Sequence, residues 1–283
     1  MRIYRILIPD SIPPQRLDKY LRQALPLLPE HVIRDAFSAR DVKLDGKRVA
    51  ADVSACPGEL VEIYTAYEAS IPTVYEDTQV LLLNKPAGIS CEDDGRGGMT
   101  VLSVMQERAQ GVFRPRLCHR LDNQTSGLLI LAKTDEAEAA LLRAFAERTL
   151  DKRYECLVKG TMRPEAAELS AYLVRDDRQS RVRIVTHASP GARPIRTAYR
   201  LIRKEGELSR LSVDLLTGRM HQIRAHLAFL SHPILGDDLY GDRALNRRMK
   251  TTELKLCAVE LTLHTESCLD YLNGKAFRIP APF

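Results

Sequence analysis

The sequence lacks the features that mark membrane, secreted and metal-binding proteins. No apolar run is long enough to span a bilayer, and residues 1–5 lack the apolar core of a secretory signal. Its six cysteines include no CxxC pair, which argues against a disulfide framework and a structural zinc site. Low-complexity tracts and internal repeats are also missing. We therefore expect a cytoplasmic protein with reduced cysteines, no metal and no membrane contact, and take a monomer as the default.

Motifs for common cofactors are missing as well. HExxH does not occur, and His221 and His226 are five residues apart, which is a poor zinc spacing. Residues 236–242, GDDLYGD, lack the acid spacing and terminal Glu of a calcium loop, so they predict a structural turn. The glycines of residues 94–98, DGRGG, match neither a dinucleotide-binding nor a Walker loop. The sequence thus gives no sign of a metal or nucleotide site.

Positive charge is concentrated in one segment of the chain. The net charge is only +5, from 42 basic and 37 acidic residues. Residues 175–204, however, hold nine basic residues and only two acids, Asp176 and Asp177. The basic residues are Arg175, Arg178, Arg181, Arg183, Arg193, Arg196, Arg200, Arg203 and Lys204. Alternation within the segment predicts strands with an arginine-bearing face, which would suit either a polyphosphate partner or simple exposure to solvent.

The 283 residues suffice for about two domains. Residues 1–65 form the first predicted module: a helix carrying Leu17, Leu21 and Leu25 on one face, a second helix over 30–38, a hairpin over 42–49 with an Asp-Gly turn, and a strand over 58–64. Residues 66–74 are short, polar and contain a proline, so we interpret them as a linker. Residues 75–283 make up the second predicted domain.

The most informative segment is HRLDNQTSGLLILAKT, residues 119–134. Asp122 closely follows Arg120 and precedes a Thr-Ser-Gly turn and an apolar run that predicts a buried strand. A lone acid on such a scaffold, with a cation beside it, suggests a catalytic group. A surface loop in which Asp122 pairs with Arg120 is an equally good interpretation of the spacing alone.

Four segments in order resemble motifs of the RluA family of pseudouridine synthases. They are NKPAG at 84–88, HRLDNQTSGLLILAK at 119–133, KRY at 152–154 and TGRMHQIRAHLAFLSHPILGDDLYGD at 217–242. The order RLDKYL, VKLDGKRV, PGELVEIY in the first module resembles the α-L type RNA-binding domain. The resemblance implies an α+β fold: a catalytic domain with a mixed, mostly antiparallel sheet flanked by helices, among them a helix over about 135–148, plus the small N-terminal module.

The resemblance also implies roles for particular residues. Asp122 would be the nucleophile or charge stabiliser, Arg219 the cation that keeps it ionised, and Tyr154 the aromatic that stacks on the base. Arg120 would fill the gap left by the flipped base. RNA contacts would come from Arg120, His119, Thr125, Lys152, His221, Gln222 and Arg224. No cofactor is expected, because the isomerisation exchanges no redox equivalents, phosphoryl groups or acyl groups.

Three functions remain open on the residues. An RNA pseudouridine synthase is favoured, with large-subunit ribosomal RNA as the first candidate substrate and transfer RNA as the second. A catalytically silent RNA-binding or ribosome-assembly protein would not need the retained Asp122, Tyr154, Arg120 and Arg219. A glycoside or nucleoside hydrolase normally needs a second placed carboxylate, and none is evident in the four segments.

Overall fold

The computed structural model describes residues 1–176 and 181–283, so Asp177 and Arg178 of the basic segment lie outside the described residues. The chain divides into two compact units: residues 1–72 with 88–115, and residues 73–87 with 116–283. Residues 88–115 therefore pack with the N-terminal residues, for example through the Met99 N–H, which donates to the Ala24 carbonyl at 2.7 Å. The functional domain limits near residues 66–74 remain a prediction.

The first unit is a small α+β body. Its strands are β1 (Arg2–Leu7), β2 (Gln15–Arg16), β3 (Val42–Leu44), β4 (Lys47–Arg48), β5 (Ser54–Ala55) and β6 (Leu60–Thr65), and its helices are α1 (Leu17–Ala24), α2 (Glu30–Ser38) and α3 (Val101–Ala109). The main sheet has the order β1-β6-β3-β4, and β2 pairs with β5. Both predicted helices are present, and Leu17, Leu21 and Leu25 are buried. Asp45 and Gly46 have φ of +47° and +76°, as a two-residue hairpin turn requires.

The second unit is built on a large sheet. Its strands are β7 (Thr73–Glu76), β8 (Val80–Lys85), β9 (Arg116–Leu117), β10 (Ser126–Ala132), β11 (Leu150–Lys159), β12 (Ala166–Asp176), β13 (Arg181–Val185), β14 (Arg193–Glu205), β15 (Leu208–Leu215), β16 (Leu256–Leu263) and β17 (Ala276–Arg278). Its helices are α4 (Asp135–Glu147), α5 (Gln222–Phe229) and α6 (Arg243–Arg248), with a 3₁₀ helix at Ser267–Leu272. In the described ranges no helix is long and apolar enough to cross a membrane.

The strand order of the large sheet is β13-β12-β14-β15-β11-β16-β10-β8-β7, with β17 on β16 and β9 on β10. Its neighbouring strands are antiparallel except for the parallel pair β10–β16. This confirms the predicted α+β fold with a mixed, mostly antiparallel sheet. All seven residues of β10 are buried, which explains its continuous apolar run.

Helix α4 shows how closely local signals set an element's limits. The Thr134 hydroxyl accepts from the Ala137 N–H at 3.2 Å, which caps the start, and the helix ends before Arg148, whose φ is +60°. The predicted span of 135–148 is therefore confirmed to within one residue. Ala137 and Leu141 are buried as expected, and Phe145 is half-buried.

The two faces of the sheet differ in chemistry. Helix α5 covers one face, where the Gln222 side-chain amide donates to the Thr197 hydroxyl at 3.0 Å. We call this side the α5 face; through cross-strand pairing it also carries Val213 and Tyr154. The opposite, outer face carries a row of ion pairs, in which Arg153 contacts Asp214 at 2.8 Å and Glu260 at 3.4 Å. Everything described below as the candidate site lies in the second unit.

Candidate active site

Asp122 lies in the turn that leads into β10. The Thr125 N–H donates to the Asp122 carbonyl at 3.0 Å and closes this turn. Lys85, which is fully buried at the end of β8, donates from Nζ to the carbonyls of Asn123 and Pro86, both at 3.0 Å. Burying a lysine costs free energy unless its N–H donors are hydrogen-bonded. Here the hydrogen bonds of Lys85 fix the backbone next to Asp122. The sequence analysis did not single out Lys85, although it ends the apolar strand inside NKPAG.

One strand separates the Asp122 turn from Tyr154. Gly127 in β10 pairs with Ala258 of β16, which in turn pairs with Tyr154 of β11. The φ of Gly127 is +115°, and a Cβ there would overlap the backbone of Ala258. The close approach of β10 and β16 therefore requires glycine at this position. Burial, and then the charge of Asp122, raise the pKa of the Tyr154 phenol. Tyr154 is thus a neutral, buried phenol, close enough to Asp122 for the carboxylate charge to affect its pKa.

Arg224 supplies the cation beside Asp122. Its Nη1 lies 3.6 Å from Asp122 Oδ2, and its Nε and Nη2 donate to the two oxygens of Asp237 at 2.8 and 2.9 Å. Burial lowers the pKa of Arg224, but the hydrogen bonds and charge of Asp237 outweigh it and raise the pKa overall. Burial likewise raises the pKa of Asp237, and Arg224 reverses this to a lowered pKa. The pair therefore stays ionised at neutral pH.

The family motifs predicted Arg219 in this place and Arg224 among the RNA contacts. In the structure Arg219 is exposed, and between the described residues it makes no ion pair with Asp122. Arg219 lies in the loop before α5, whereas Arg224 lies in the first turn of α5 with its side chain buried. Because Arg224 lies on the buried side of α5, it is the arginine found beside Asp122. The order of the motifs alone could not distinguish Arg224 from Arg219.

His221 approaches the same carboxylate oxygen. Its Nε2 is 3.9 Å from Asp122 Oδ2, and its Nδ1 is 3.1 Å from the Tyr240 hydroxyl. Its φ of +51° puts it in the left-handed region, directly before α5. Burial lowers the pKa of His221, and Asp122 offsets this only in part, so the imidazole is neutral at pH 7. Oδ2 is the nearest carboxylate oxygen for both groups, and neither oxygen of Asp122 accepts a hydrogen bond from the described residues.

Gln222 has a structural position. It is buried; its Oε1 accepts from the Thr217 hydroxyl at 2.9 Å and from the Arg219 N–H at 3.2 Å. Its Nε2 donates to the Arg196 carbonyl and to the Thr197 hydroxyl, both at 3.0 Å. All four hydrogen-bonding positions of the amide are then occupied. The predicted RNA contact of Gln222 does not fit this arrangement, because nothing on the side chain is left to bind a ligand.

His119 and Lys152 flank one aromatic ring. The His119 ring stacks on Phe145 with a centroid separation of 4.5 Å, and its Nε2 accepts from the Ile130 N–H at 3.1 Å. Burial, with a smaller contribution from Lys152, lowers the pKa of His119 to about 3. Lys152 Nζ lies 5.3 Å from the Phe145 ring centroid, and burial lowers its pKa. His119 is thus held by protein groups, while Lys152 forms no ion pair among the described residues.

The other predicted residues lie at two extremes of exposure. Arg120 is exposed at the start of the Asp122 turn. Thr125 is buried, and its hydroxyl has no hydrogen-bond partner among the described residues.

Residues 236–242 form the predicted structural turn, since Asp237 accepts from the N–H groups of Leu239 and Tyr240, both at 2.9 Å. Within residues 1–176 and 181–283, no cluster of three or more metal-ligating side chains occurs.

The basic segment splits between the two faces of the sheet. Arg193 pairs with Leu173, and Arg175 pairs with Val182; both of these partners are buried under α5. Arg183 and Arg200 have the opposite phase and lie on the outer face. The strands predicted from the alternation are present, but they present arginines on two surfaces instead of one.

Comparisons with known proteins show which family this chain resembles. The sequence model of the RNA pseudouridylate synthase family matches residues 79–229. A ribosomal large subunit pseudouridine synthase C of Vibrio cholerae is 33% identical over 83% of this chain and 80% of its own. The protein of the same name from Escherichia coli K12 is 31% identical over 95% and 89%. The solved structure of human RNA pseudouridylate synthase domain containing 1 matches with a TM-score of 0.63 and 27% identity, over 76% of this chain and 84% of that one.

The chain therefore belongs to the RNA pseudouridylate synthase family, as the four motifs predicted. It is an enzyme that forms pseudouridine, and its partner is RNA. The roles of individual site residues remain to be proposed from the geometry.

Proposed function

We propose that this enzyme isomerises uridines in the RNA of the large ribosomal subunit, with Asp122 as the group that attacks the substrate. The substrate proposal follows the names of the Vibrio cholerae and Escherichia coli relatives, whose chains are covered to 80% and 89%. A monomer acting in the cytoplasm belongs to the same proposal. The observation that carries the catalytic part is the position of Asp122, whose Oδ2 lies 3.6 Å from Arg224 and 3.9 Å from His221 while neither carboxylate oxygen accepts a hydrogen bond from the described residues.

The reaction breaks the bond between uracil N1 and the ribose and re-forms it at C5. Attack on the ribose, addition to the base and a glycal route all need an ionised carboxylate at the glycosidic bond. Arg224 places a positive charge 3.6 Å from Asp122 Oδ2, and its ion pair with Asp237 holds that charge in position. Oδ1 is then the oxygen that meets the substrate.

Tyr154 is proposed to hold the base while it turns. Its phenol stays protonated because burial and Asp122 raise its pKa, so it presents an uncharged ring and an O–H donor. A ring can keep a detached uracil in plane without fixing its rotation. Extruding the base from folded RNA costs a few kcal/mol, and Arg120, exposed at the edge of the turn, is proposed to fill the gap.

The RNA backbone is proposed to contact two cations near this turn. Arg219 is exposed on the loop before α5, and Lys152 is close to it, since a Cβ on Gly218 would lie 3.4 Å from Lys152 Nζ. A lysine without a protein carboxylate gains most from a phosphate. These two residues are proposed as the RNA contacts here in preference to Gln222 and Arg224, whose buried side chains bind protein groups.

The test maps pseudouridines in total RNA by carbodiimide-based primer extension. A deletion strain is complemented with wild-type protein, with Asp122→Asn, or with Asp151→Asn, which changes an exposed carboxylate in the same unit. We expect sites in large-subunit ribosomal RNA that wild type and Asp151→Asn restore and Asp122→Asn does not. Restoration by Asp122→Asn would overturn the catalytic role. Dependence confined to transfer RNA would overturn the substrate, and no dependent site would favour a silent RNA-binding protein.

A further inference from the structure

Tyr240 contacts both groups that approach Asp122. Its ring centroid lies 5.4 Å from the guanidinium carbon of Arg224, and its ring meets the His221 ring edge-on at 5.7 Å. Its backbone N–H donates to Asp237 Oδ1 at 2.9 Å, and Asp237 in turn holds Arg224. Tyr240 makes no hydrogen bond to Asp122 among the described residues, so its hydrogen-bonded link to the carboxylate runs through these neighbours.

The hydroxyl of Tyr240 lies between a fixed donor and an imidazole nitrogen. The Val182 N–H, which can only donate, gives a hydrogen bond of 2.9 Å to the Tyr240 oxygen. The other neighbour of that oxygen is His221 Nδ1, at 3.1 Å. The phenol proton then has one acceptor within reach among the described residues, which is the lone pair of Nδ1.

The alternative tautomer is worse at both ends of the ring. A proton on Nδ1 would leave the phenol O–H without an acceptor in a half-buried place. It would also turn the lone pair of Nε2 toward the negative Asp122 oxygen, 3.9 Å away. With the proton on Nε2, both ends are matched: Nδ1 accepts from Tyr240, and Nε2–H faces Asp122 Oδ2.

We propose that Tyr240 is a positioning residue that holds His221 as its Nε2–H tautomer and directs that N–H at Asp122 Oδ2. The separation of 3.9 Å is longer than a hydrogen bond, and active-site hydrogen bonds commonly shorten in the substrate complex. His221 and Arg224 then both engage Oδ2, which fixes the rotation of the carboxylate and leaves Oδ1 for the reaction. This last consequence rests on the proposed role of Asp122, whereas the tautomer does not.

The first test is spectroscopic. Long-range ¹H–¹⁵N correlation of the imidazole rings at neutral pH reports which nitrogen carries the proton, and the signal missing in His221→Gln assigns the residue. In the wild type we expect a neutral ring protonated on Nε2. In Tyr240→Phe, which keeps the ring and the Asp122 contact but loses the O–H, we expect a larger Nδ1–H population than in the wild type. A wild-type ring protonated on Nδ1, or a Tyr240→Phe ring that keeps the Nε2–H form alone, would overturn the proposal.

The second test is kinetic and uses a matched control. Tyr199 is another buried tyrosine of the same unit, and its hydroxyl donates to the Pro164 carbonyl at 2.9 Å. We expect Tyr240→Phe to lower kcat about tenfold with KM within twofold, and Tyr199→Phe to change neither. Equal losses in both variants would show a general stability effect and overturn the positioning role. If Asp122→Asn stays active while the tautomer is as expected, the proposed catalytic role fails and the tautomer assignment stands.

Discussion

Arg224 Nη1 lies 3.6 Å from Asp122 Oδ2, while Nε and Nη2 of the same guanidinium bind Asp237 at 2.8 and 2.9 Å. One planar cation therefore connects a fully buried carboxylate to a half-buried one. Asp237 fixes the plane of the guanidinium, and the third nitrogen is left pointing at Asp122. The position of the positive charge beside Asp122 thus depends on the Arg224–Asp237 ion pair, which is buried more deeply than Asp122.

Arg224→Lys should lower kcat about 100-fold, because an ammonium cannot contact both Asp237 oxygens and Asp122 at once. Arg224→Met should also lower the free energy of unfolding by about 3–5 kcal/mol, since the buried Asp237 carboxylate would lose its only cation among the described residues. Steady-state kinetics and urea unfolding measure the two effects. The control is Arg219→Lys, which is exposed and should keep kcat within threefold. A greater loss in Arg219→Lys than in Arg224→Lys would restore the assignment made from motif order.

Lys85→Met should reduce activity about 100-fold at unchanged RNA affinity, because the segment after Asp122 loses the donor that fixes it. Lys133→Met is the matched control: it removes a lysine at the far end of β10, where Nζ contacts Glu76 at 3.0 Å. Single-turnover rates would measure the chemical step, and filter binding would measure the affinity for RNA. Equal losses in the two variants would show that Lys85 has no special link to Asp122.

Arg193→Ala should weaken RNA binding more than Arg200→Ala. Both arginines are exposed on β14, but Arg193 lies on the α5 face with the site and Arg200 on the outer face. Loss of one phosphate contact should reduce the slope of log K against log salt by about 0.7–0.9. Filter binding over a salt series measures this slope. An equal effect of Arg200→Ala would mean that RNA also covers the outer face.

Acid should destabilise the large sheet through His226. This histidine is buried, and its Nδ1 lies 3.1 Å from the Thr197 hydroxyl. Burial lowers its pKa to about 4, so as the pH falls below the ordinary value of about 6.5 the unfolded chain binds the proton first. The stability due to neutral His226 is complete above about pH 6.5 and is lost progressively down to about pH 4, at up to about 1.4 kcal/mol per pH unit.

Urea unfolding between pH 7 and pH 4 tests this. His226→Gln should flatten the fall in the free energy of unfolding, whereas His187→Gln, at an exposed position, should leave the slope unchanged. If His226→Gln kept the wild-type slope, the acid sensitivity would have to come from other groups.

Local pattern in the sequence determined the elements. The apolar run after Gly127 specified β10, the cap at Thr134 specified the start of α4, and Asp45-Gly46 specified a hairpin turn. These features depend on residues within a few positions of each other, so they can be derived without the fold. The family could also be predicted from the sequence, because four short motifs in the family's order identify the catalytic domain without reference to the fold.

Only the tertiary structure decided which side chains meet. The burial of α5 chose Arg224 over Arg219, and strand register placed Arg193 and Arg200 on opposite faces. Lys85 joined the site because β8 and β10 are neighbours, which brings its ammonium to the Asn123 carbonyl, 38 positions away. Local sequence fixes backbone conformation, but contact between distant side chains depends on sheet order and on which face each residue occupies, and packing of the whole domain sets both.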